Sequence, residues 1–338
     1  MLSLITHSKP TINSVDLESV KFQLNESNLA NGPKVVEFEK LIAESNDVSY
    51  ALCTSSGSSA LQVCLQALKI SSHSEIILPS YVCKSVYDAV RSLGFIPVLC
   101  DLGSNWVMTE KSIRLKITIK TAAIILVHTF GIDAWNEELN KLNIPIIEDL
   151  CQGFALQKHT RRPLKGIMGF CSFNATKCLT TGEGGALITN SLDHYNRSAQ
   201  IMNDKLVSTI FSDYQAALGI SQLKQYPEFV ETRKNIVKRY ISQINDKTST
   251  ENFSKIIDKS VCFRFLLYGN YNVDAIIEKA GLENIAIRRG VDKTLHKMDD
   301  LKGFDETIKT FNSTLSLPIY PSLSNEEQDR VIKFVNSI

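Results

Sequence analysis

Between residues 48 and 189 the chain alternates short apolar or β-branched runs with stretches whose apolar residues recur at helical spacing. Seven runs predict strands, over residues 50–53, 75–78, 97–100, 122–127, 145–149, 170–173 and 185–189. Most are continuously apolar, as strands buried on both faces are, which predicts a largely parallel sheet with both faces covered. Residues 57–69, 82–93 and 135–142 carry helically spaced apolar positions and predict the crossover helices that parallel pairs require. The last gap breaks this rhythm. Residues 174–184, NATKCLTTGEG, hold two glycines and three threonines without an amphipathic stripe, which predicts an irregular loop leading into an antiparallel strand.

Beyond residue 212 the texture changes: 215–225 and 227–244 predict two helices, 261–269 an apolar strand and 273–280 a short helix. A chain of 338 residues exceeds the roughly 250–300 at which single cores stop growing. The expected division is a large α/β domain over 1–230, N-terminal segment included, and a small α+β domain over 231–338, with the boundary inside helices.

Lys and Arg number 37 against 36 for Asp and Glu, a formal net charge of +1, so no global field draws the chain to nucleic acid or to an anionic membrane. The eight cysteines form no CxxC pair, and no histidine cluster has metal-ligand spacing. They read as free buried thiols in a reducing compartment. With neither a secretory signal nor an apolar run of the roughly 20 residues that span a bilayer, the expectation is a cytoplasmic protein without a metal.

Three places carry candidate chemistry. Thr54–Leu61, TSSGSSAL, runs a strand end into a turn of small hydroxyl residues and then a helix. Gly57, Ser58 and Ser59 there either hold a phosphate on free backbone N–H groups and the helix dipole, or belong to a plain serine N-cap. The apolar run 144–147 ends abruptly in Glu148 and Asp149, with Gln152 three residues on. Asp149 is either the partner of a cationic nitrogen at a strand's carboxyl end or an ordinary turn carboxylate. Lys177 lies five residues after Ser172 and five before Gly182–Gly185, GEGG. A lone lysine is usually solvated, whereas one in a partly desolvated loop suits imine chemistry. Together the three supply what pyridoxal 5′-phosphate (PLP) needs. The turn holds its phosphate, Asp149 keeps the pyridine nitrogen protonated, and Lys177 forms the internal aldimine; once displaced, its amine shuttles a proton as the cofactor passes to the pyridoxamine (PMP) form. His128 reads as a strand-end structural histidine.

Over nearly its whole length the chain resembles the DegT/DnrJ/EryC1/StrS family of sugar aminotransferases. Asn31-Gly32-Pro33 with Val36-Glu37-Phe38-Glu39 resembles the family's "GP…EFE", Ser55–Leu61 its "SNGTAAL", and Glu75–Tyr81 its "EVITPSYTF". Val127–Gly131 resembles "VHLYG", Ile147–Gln152 "IEDAAQ", Gln215–Gly219 "QAALG", and Leu315–Pro321 "LSLPLYP". Ser172–Lys177 with the GEGG run resembles "SFxxxK…GEGG", the most specific match because serine, lysine and glycines stand at one spacing. The resemblance implies the type I, aspartate-aminotransferase-like fold of PLP-dependent transferases: a mixed, mainly parallel seven-stranded sheet with a smaller α+β C-terminal domain. It implies Ser58, Ser59 and Ser172 on the phosphate, Tyr81 stacked on the ring, Gln152 at the ring hydroxyl, Asp149 on the ring nitrogen and Lys177 as the Schiff-base lysine. It further implies a nucleotide-linked keto sugar as acceptor, glutamate as amino donor, and a homodimer with active sites at the interface.

The chain also departs from the family. Ser208-Thr209-Ile210 stands where "NYR" is usual, so Ser208 takes the phosphate-contacting place of the asparagine, and Gly153-Phe154-Ala155 replaces "AHG". His296, in Lys293–His296, with Arg288 upstream, is either a substrate contact or a surface histidine near a basic pair. Two other readings compete with amino transfer. One is PLP-dependent dehydration or deoxygenation of a sugar, in which relatives replace the lysine by histidine; the other is a non-catalytic sensor or scaffold on the same fold.

Overall fold

The computed structural model describes residues 3–26, 28–204, 209–298 and 300–338. All seven expected strands form: β1 (Tyr50–Thr54), β2 (Glu75–Pro79), β3 (Ile96–Cys100), β4 (Thr121–Val127), β5 (Ile146–Asp149), β6 (Met168–Ser172) and β7 (Gly185–Thr189). They make one sheet in the order β1-β7-β6-β5-β4-β2-β3. The pairs from β6 to β3 are parallel, and β7 is antiparallel to both its neighbours. The hairpin-like return of β7 follows from the short irregular loop before it, which is no crossover helix. β8 (Phe265–Tyr268) and β9 (Thr314–Leu317) pair antiparallel in a second sheet.

Helix Gly57–Ala67 covers one face of the large sheet, burying Leu61, Val63, Cys64 and Leu65. Its start is set by Ser56, whose hydroxyl accepts the N–H of Ser59. Helix Lys84–Ser92 buries Val86, Tyr87, Ala89 and Val90. Residues 135–142 differ from expectation. They form a 3₁₀ segment, Glu137–Leu142, because Asn143 takes the left-handed conformation (φ 52°) and ends the turn before an α-helix can propagate.

The two expected helices after residue 212 are one, Asp213–Gln243, 31 residues long with Pro227 inside it. An interior proline costs a helix about 3 kcal/mol. Burial of Tyr226, Phe229 and Val230 around it offsets that cost, and the helix runs unbroken through position 230. The strand expected over 261–269 shortens to β8, since Cys262 has φ +53° and its N–H is taken by the Ser260 hydroxyl. Beneath the small sheet the core gathers Phe265, Leu267, Leu315 and Leu317 with Tyr81, Trp106 and Phe130. The eight cysteines are free, as expected, but Cys83 is exposed and Cys151 only half-buried; among the described residues no helix is long and apolar enough to cross a membrane.

Candidate active site

The site is built at one end of the large sheet. Gly185 opens β7 and is paired on one side with Thr54 and on the other with Ser172, while Asp149 ends β5 beside Val127 and Phe170. This register brings together the turn after β1, the acid after β5 and the loop after β6. A cavity of about 290 Å³ opens between them, lined by Ser56, Gly57, Ser58, Asp149, Gln152, Ser172 and Lys177, with Cys83 at its wall.

The turn before helix Gly57–Ala67 has the form of an anion cradle. First-turn N–H groups have no intrahelical acceptor; that of Ser59 is met by Ser56, whereas Gly57 and Ser58 face the cavity. A Cβ on Gly57 would stand 2.9 Å from the Cβ of Ser172 and 3.2 Å from Cys151 Sγ, so only glycine lets the turn come this close to β6. Ser58 lines the cavity as expected, but Ser59 does not. Its side chain is buried, and its hydroxyl lies 3.0 Å from those of both Ser55 and Ser56, so it ties the turn together from behind.

Asp149 is buried and accepts the N–H of Cys151 at 2.9 Å. Burial holds its carboxyl above the usual range, against the opposing pull of the Cys151 backbone and thiol and of nearby Lys177. Among the described residues no cation pairs with it at salt-bridge distance. A buried carboxylate of this kind favours a cationic partner supplied from the cavity. The preceding Glu148 faces the other way, into a closed network. It meets His128 Nε2 at 2.8 Å and Arg162 at 2.9 Å, and its second oxygen accepts the N–H groups of Lys165 and Gly166. His128 is therefore a structural residue, as the sequence suggests.

Lys177 is presented by a loop knitted from its threonines. Thr180 Oγ1 and Thr181 N donate to the carbonyl of Phe173, Thr181 Oγ1 donates to the carbonyl of Glu183, and Asn174 bonds the Glu183 carboxylate at 2.8 Å. Gly182 (φ +80°) and Gly184 (φ +156°) supply the two bends that other residues resist. Gln152 Oε1 accepts the N–H of Phe130 at 2.6 Å, which fixes the amide so that its NH₂ is the group left for a ligand.

Two expected contacts lie elsewhere. Tyr81 is fully buried in the core, edge-on to Phe130 and against Gly290, so it cannot stack on a ring in the cavity; the chain turns after β2, and Val82 and Cys83 line the wall instead. His296 is also buried. Its Nδ1 is 2.7 Å from Ser80 Oγ and its ring stacks on Phe304 at 4.7 Å, so it braces the segment after β2 and lines no part of the cavity. Arg288 is set apart from it. With Arg264 and Arg289 it lines a second cavity of about 470 Å³ that shares Val82, Cys83, Gln152, Thr176 and Lys177 with the first. Ser208 lies outside the described residues. Among the lining residues that went unread in the sequence are Cys83, His7 and Arg264. For Arg264 a signal exists, a lone arginine inside the apolar run VCFRFLL.

These residues fit PLP. A phosphate suits the cradle at Gly57 and Ser58, a ring cation suits unpaired Asp149, and an aldehyde suits the amine of Lys177.

Comparison with known proteins agrees. The sequence profile of the DegT/DnrJ/EryC1/StrS aminotransferase family matches residues 10–336. GDP-perosamine synthase of Escherichia coli O157:H7 is 27% identical over 361 residues, which cover 97% of this chain and 96% of that protein. Helicobacter pylori PseC, an aminotransferase involved in the biosynthesis of pseudoaminic acid, superposes with a TM-score of 0.91 at 20% identity, over 99% of both chains. The PLP form of the putative sugar aminotransferase Spr1654 from Streptococcus pneumoniae superposes with a TM-score of 0.82 at 21% identity, over 99% of this chain and 98% of that one. The chain belongs to the DegT/DnrJ/EryC1/StrS aminotransferase family, and is an enzyme of the transaminase type on the α/β fold of PLP-dependent transferases.

Proposed function

We propose that this protein moves an amino group from an amino acid, glutamate, to a keto sugar linked to a nucleotide, with Lys177 joined covalently to PLP. The observation that carries this reading is the convergence of Lys177, Asp149 and the Ser56–Ser58 turn on one cavity that opens into a larger, arginine-lined one. Bound PLP supplies an electron sink for a substrate carbanion. The protein's own residues do the rest. Gly57, Ser58 and Ser172 anchor the phosphate, Asp149 holds the positive charge of the ring nitrogen, and Gln152 donates to the ring hydroxyl. With the cofactor bound, the Lys177 amine would be the base that holds and moves a proton of the substrate.

The nucleotide-sugar acceptor is supported by the relatives' names and by the size and basic lining of the second cavity. Glutamate rests on the family resemblance. A homodimer is supported by the apolar residues that helix Ser14–Asn25 leaves in solvent, Val15, Leu17, Phe22 and Leu24, joined by Val36.

The test uses purified holoenzyme. Borohydride should fix the cofactor to Lys177, glutamate should bleach the aldehyde absorbance, and a nucleotide-linked keto sugar should restore it. Asp149→Asn should retain the cofactor and slow the glutamate half-reaction about 100- to 1000-fold, as loss of a buried charge partner does. A wild-type protein that takes up no PLP, or is bleached by no amino donor, sinks the proposal.

A further inference from the structure

The larger cavity holds an excess of positive charge close to the reactive lysine. Lys84, Arg264, Arg288, Arg289 and Lys293 line it, with Asp292 as the acid of the lining. Two of these cations are already paired, Lys84 with Asp88 and Arg289 with Asp274 at 2.7 Å. Arg264 differs. It is partly buried, its closest hydrogen-bond acceptor is the carbonyl of Phe263 at 3.5 Å, and among the described residues it joins no salt bridge. Arg233 and Arg288 lie near it and repel it. His7 beside it offers no counter-charge. Its Nε2 is 2.9 Å from Ser316 Oγ, and burial first, then Arg264 and Arg288, pushes its pKa down to about 2, so it stays neutral.

A guanidinium in such surroundings is held at a cost. Burial, and then its arginine neighbours, lower the Arg264 pKa to about 9, which still leaves the group charged at neutral pH. Its place in the cavity says what would relieve the cost. Lys177 Nζ stands 5.5 Å from the centroid of Phe263 and Arg264 Cζ 4.1 Å from the same centroid, so the two cations lie at most about 10 Å apart. A substrate whose reacting carbon sits beside Lys177 can therefore bring an oxyanion a few bonds away onto Arg264. Planar forked donors match carboxylate and phosphate oxygens.

We infer that Arg264 anchors a negatively charged group of the substrate, a carboxylate or a phosphate, on the floor of the arginine-lined cavity next to Lys177. This rests on the proposed reaction only for the half-reaction to which the anion belongs. Two sources offer this chemistry: the side-chain carboxylate of the amino donor and the diphosphate of the nucleotide sugar.

Calorimetry on the holoenzyme separates them, with UDP, GDP and dTDP as phosphate probes and glutarate as an unreactive dicarboxylate. Arg264→Met should weaken one class of probe on the order of 10- to 100-fold. Arg264→Lys should fall between it and wild type, because a lysine keeps the charge but loses the fork. Weakening confined to the nucleoside diphosphates assigns the acceptor's phosphate, and weakening confined to glutarate assigns the donor's carboxylate. Affinities within about twofold of wild type for every probe, or no binding of any probe to wild type, overturn the inference. If the methionine variant loses its fold, the lysine variant decides: weakened binding supports the anchor and unchanged binding removes it. A wild-type protein that binds a probe but is bleached by no amino donor sinks the proposed reaction and leaves the arginine's role standing.

Discussion

His128 Nε2 donates to Glu148 Oε2 across 2.8 Å, with both side chains fully out of solvent. The direction is set by the other ring nitrogen, since Nδ1 accepts the N–H of Ala134 at 3.0 Å and the proton therefore sits on Nε2. Because Glu148 directly precedes Asp149 on β5, and His128 N bonds the carbonyl of Asp149, this pair holds the strand end on which the acid is mounted.

Breaking the pair should cost stability. Burial pushes the Glu148 carboxyl up, but His128 and Arg162 together bring it down to about 2. A carboxyl whose folded pKa lies below its unfolded value of 4.5 adds stability that is complete above 4.5 and is lost as pH falls through 2. Glu148→Gln should therefore lower the unfolding free energy at pH 7.5 by about 3 kcal/mol in urea titrations, with the gap to wild type narrowing below pH 4. A constant gap across that range refutes the assignment.

Glu39 carries the opposite sign. Burial raises its carboxyl to about 7, opposed by the N–H of Cys53, which donates to it at 2.8 Å. The folded state then binds a proton that the unfolded state has released, so the group costs stability as pH rises from 4.5 through 7. Glu39→Gln keeps an acceptor for Cys53 and should stabilise the protein by about 2 kcal/mol at pH 8, with little change at pH 5. Equal effects at the two pH values would contradict this.

Gly185 is a steric hinge of the cofactor cradle. A Cβ there would lie 2.4 Å from the carbonyl carbon of Ser56 and 2.5 Å from the N of Gly57, both backbone atoms that cannot swing away. Gly185→Ala should destabilise by roughly 1–3 kcal/mol and weaken cofactor uptake, read by PLP titration at a temperature where the variant remains folded. Unaltered PLP affinity would show that the turn tolerates the shift.

His296 tests the distinction between bracing and binding. With its ring on Phe304 and Nδ1 on Ser80, His296→Ala should lower stability by about 1–3 kcal/mol while leaving glutamate bleaching and nucleoside diphosphate affinity as in wild type. A selective loss of nucleotide binding in a fully folded variant would return it to the substrate site.

What the sequence determined by itself was whatever depends on near neighbours along the chain. The strands of the large sheet are apolar runs bounded by turn residues, and their ends announce themselves. Asp149 closes one run, Ser56–Ser58 follow another, and Lys177 sits in a loop whose threonines and glycines bond and bend locally. The turn into β7 is legible for the same reason.

Tertiary structure decided the direction of side chains and the meeting of distant segments. Tyr81 and Cys83 are two residues apart, yet the bend after β2 sends the ring into a core shared with Phe130 and the thiol to the cavity wall. Ser58 and Ser59 part company in the same way at a helix start. Pro227 reads locally as a helix break, and burial of the residues around it overrides that preference. Arg264, Arg288 and His7 meet at one cavity only because β8, β9 and the N-terminal segment pack there. Local periodicity records which face of an element is apolar, whereas the charge excess near Lys177 is a sum over residues far apart in the chain, and only the folded arrangement performs that sum.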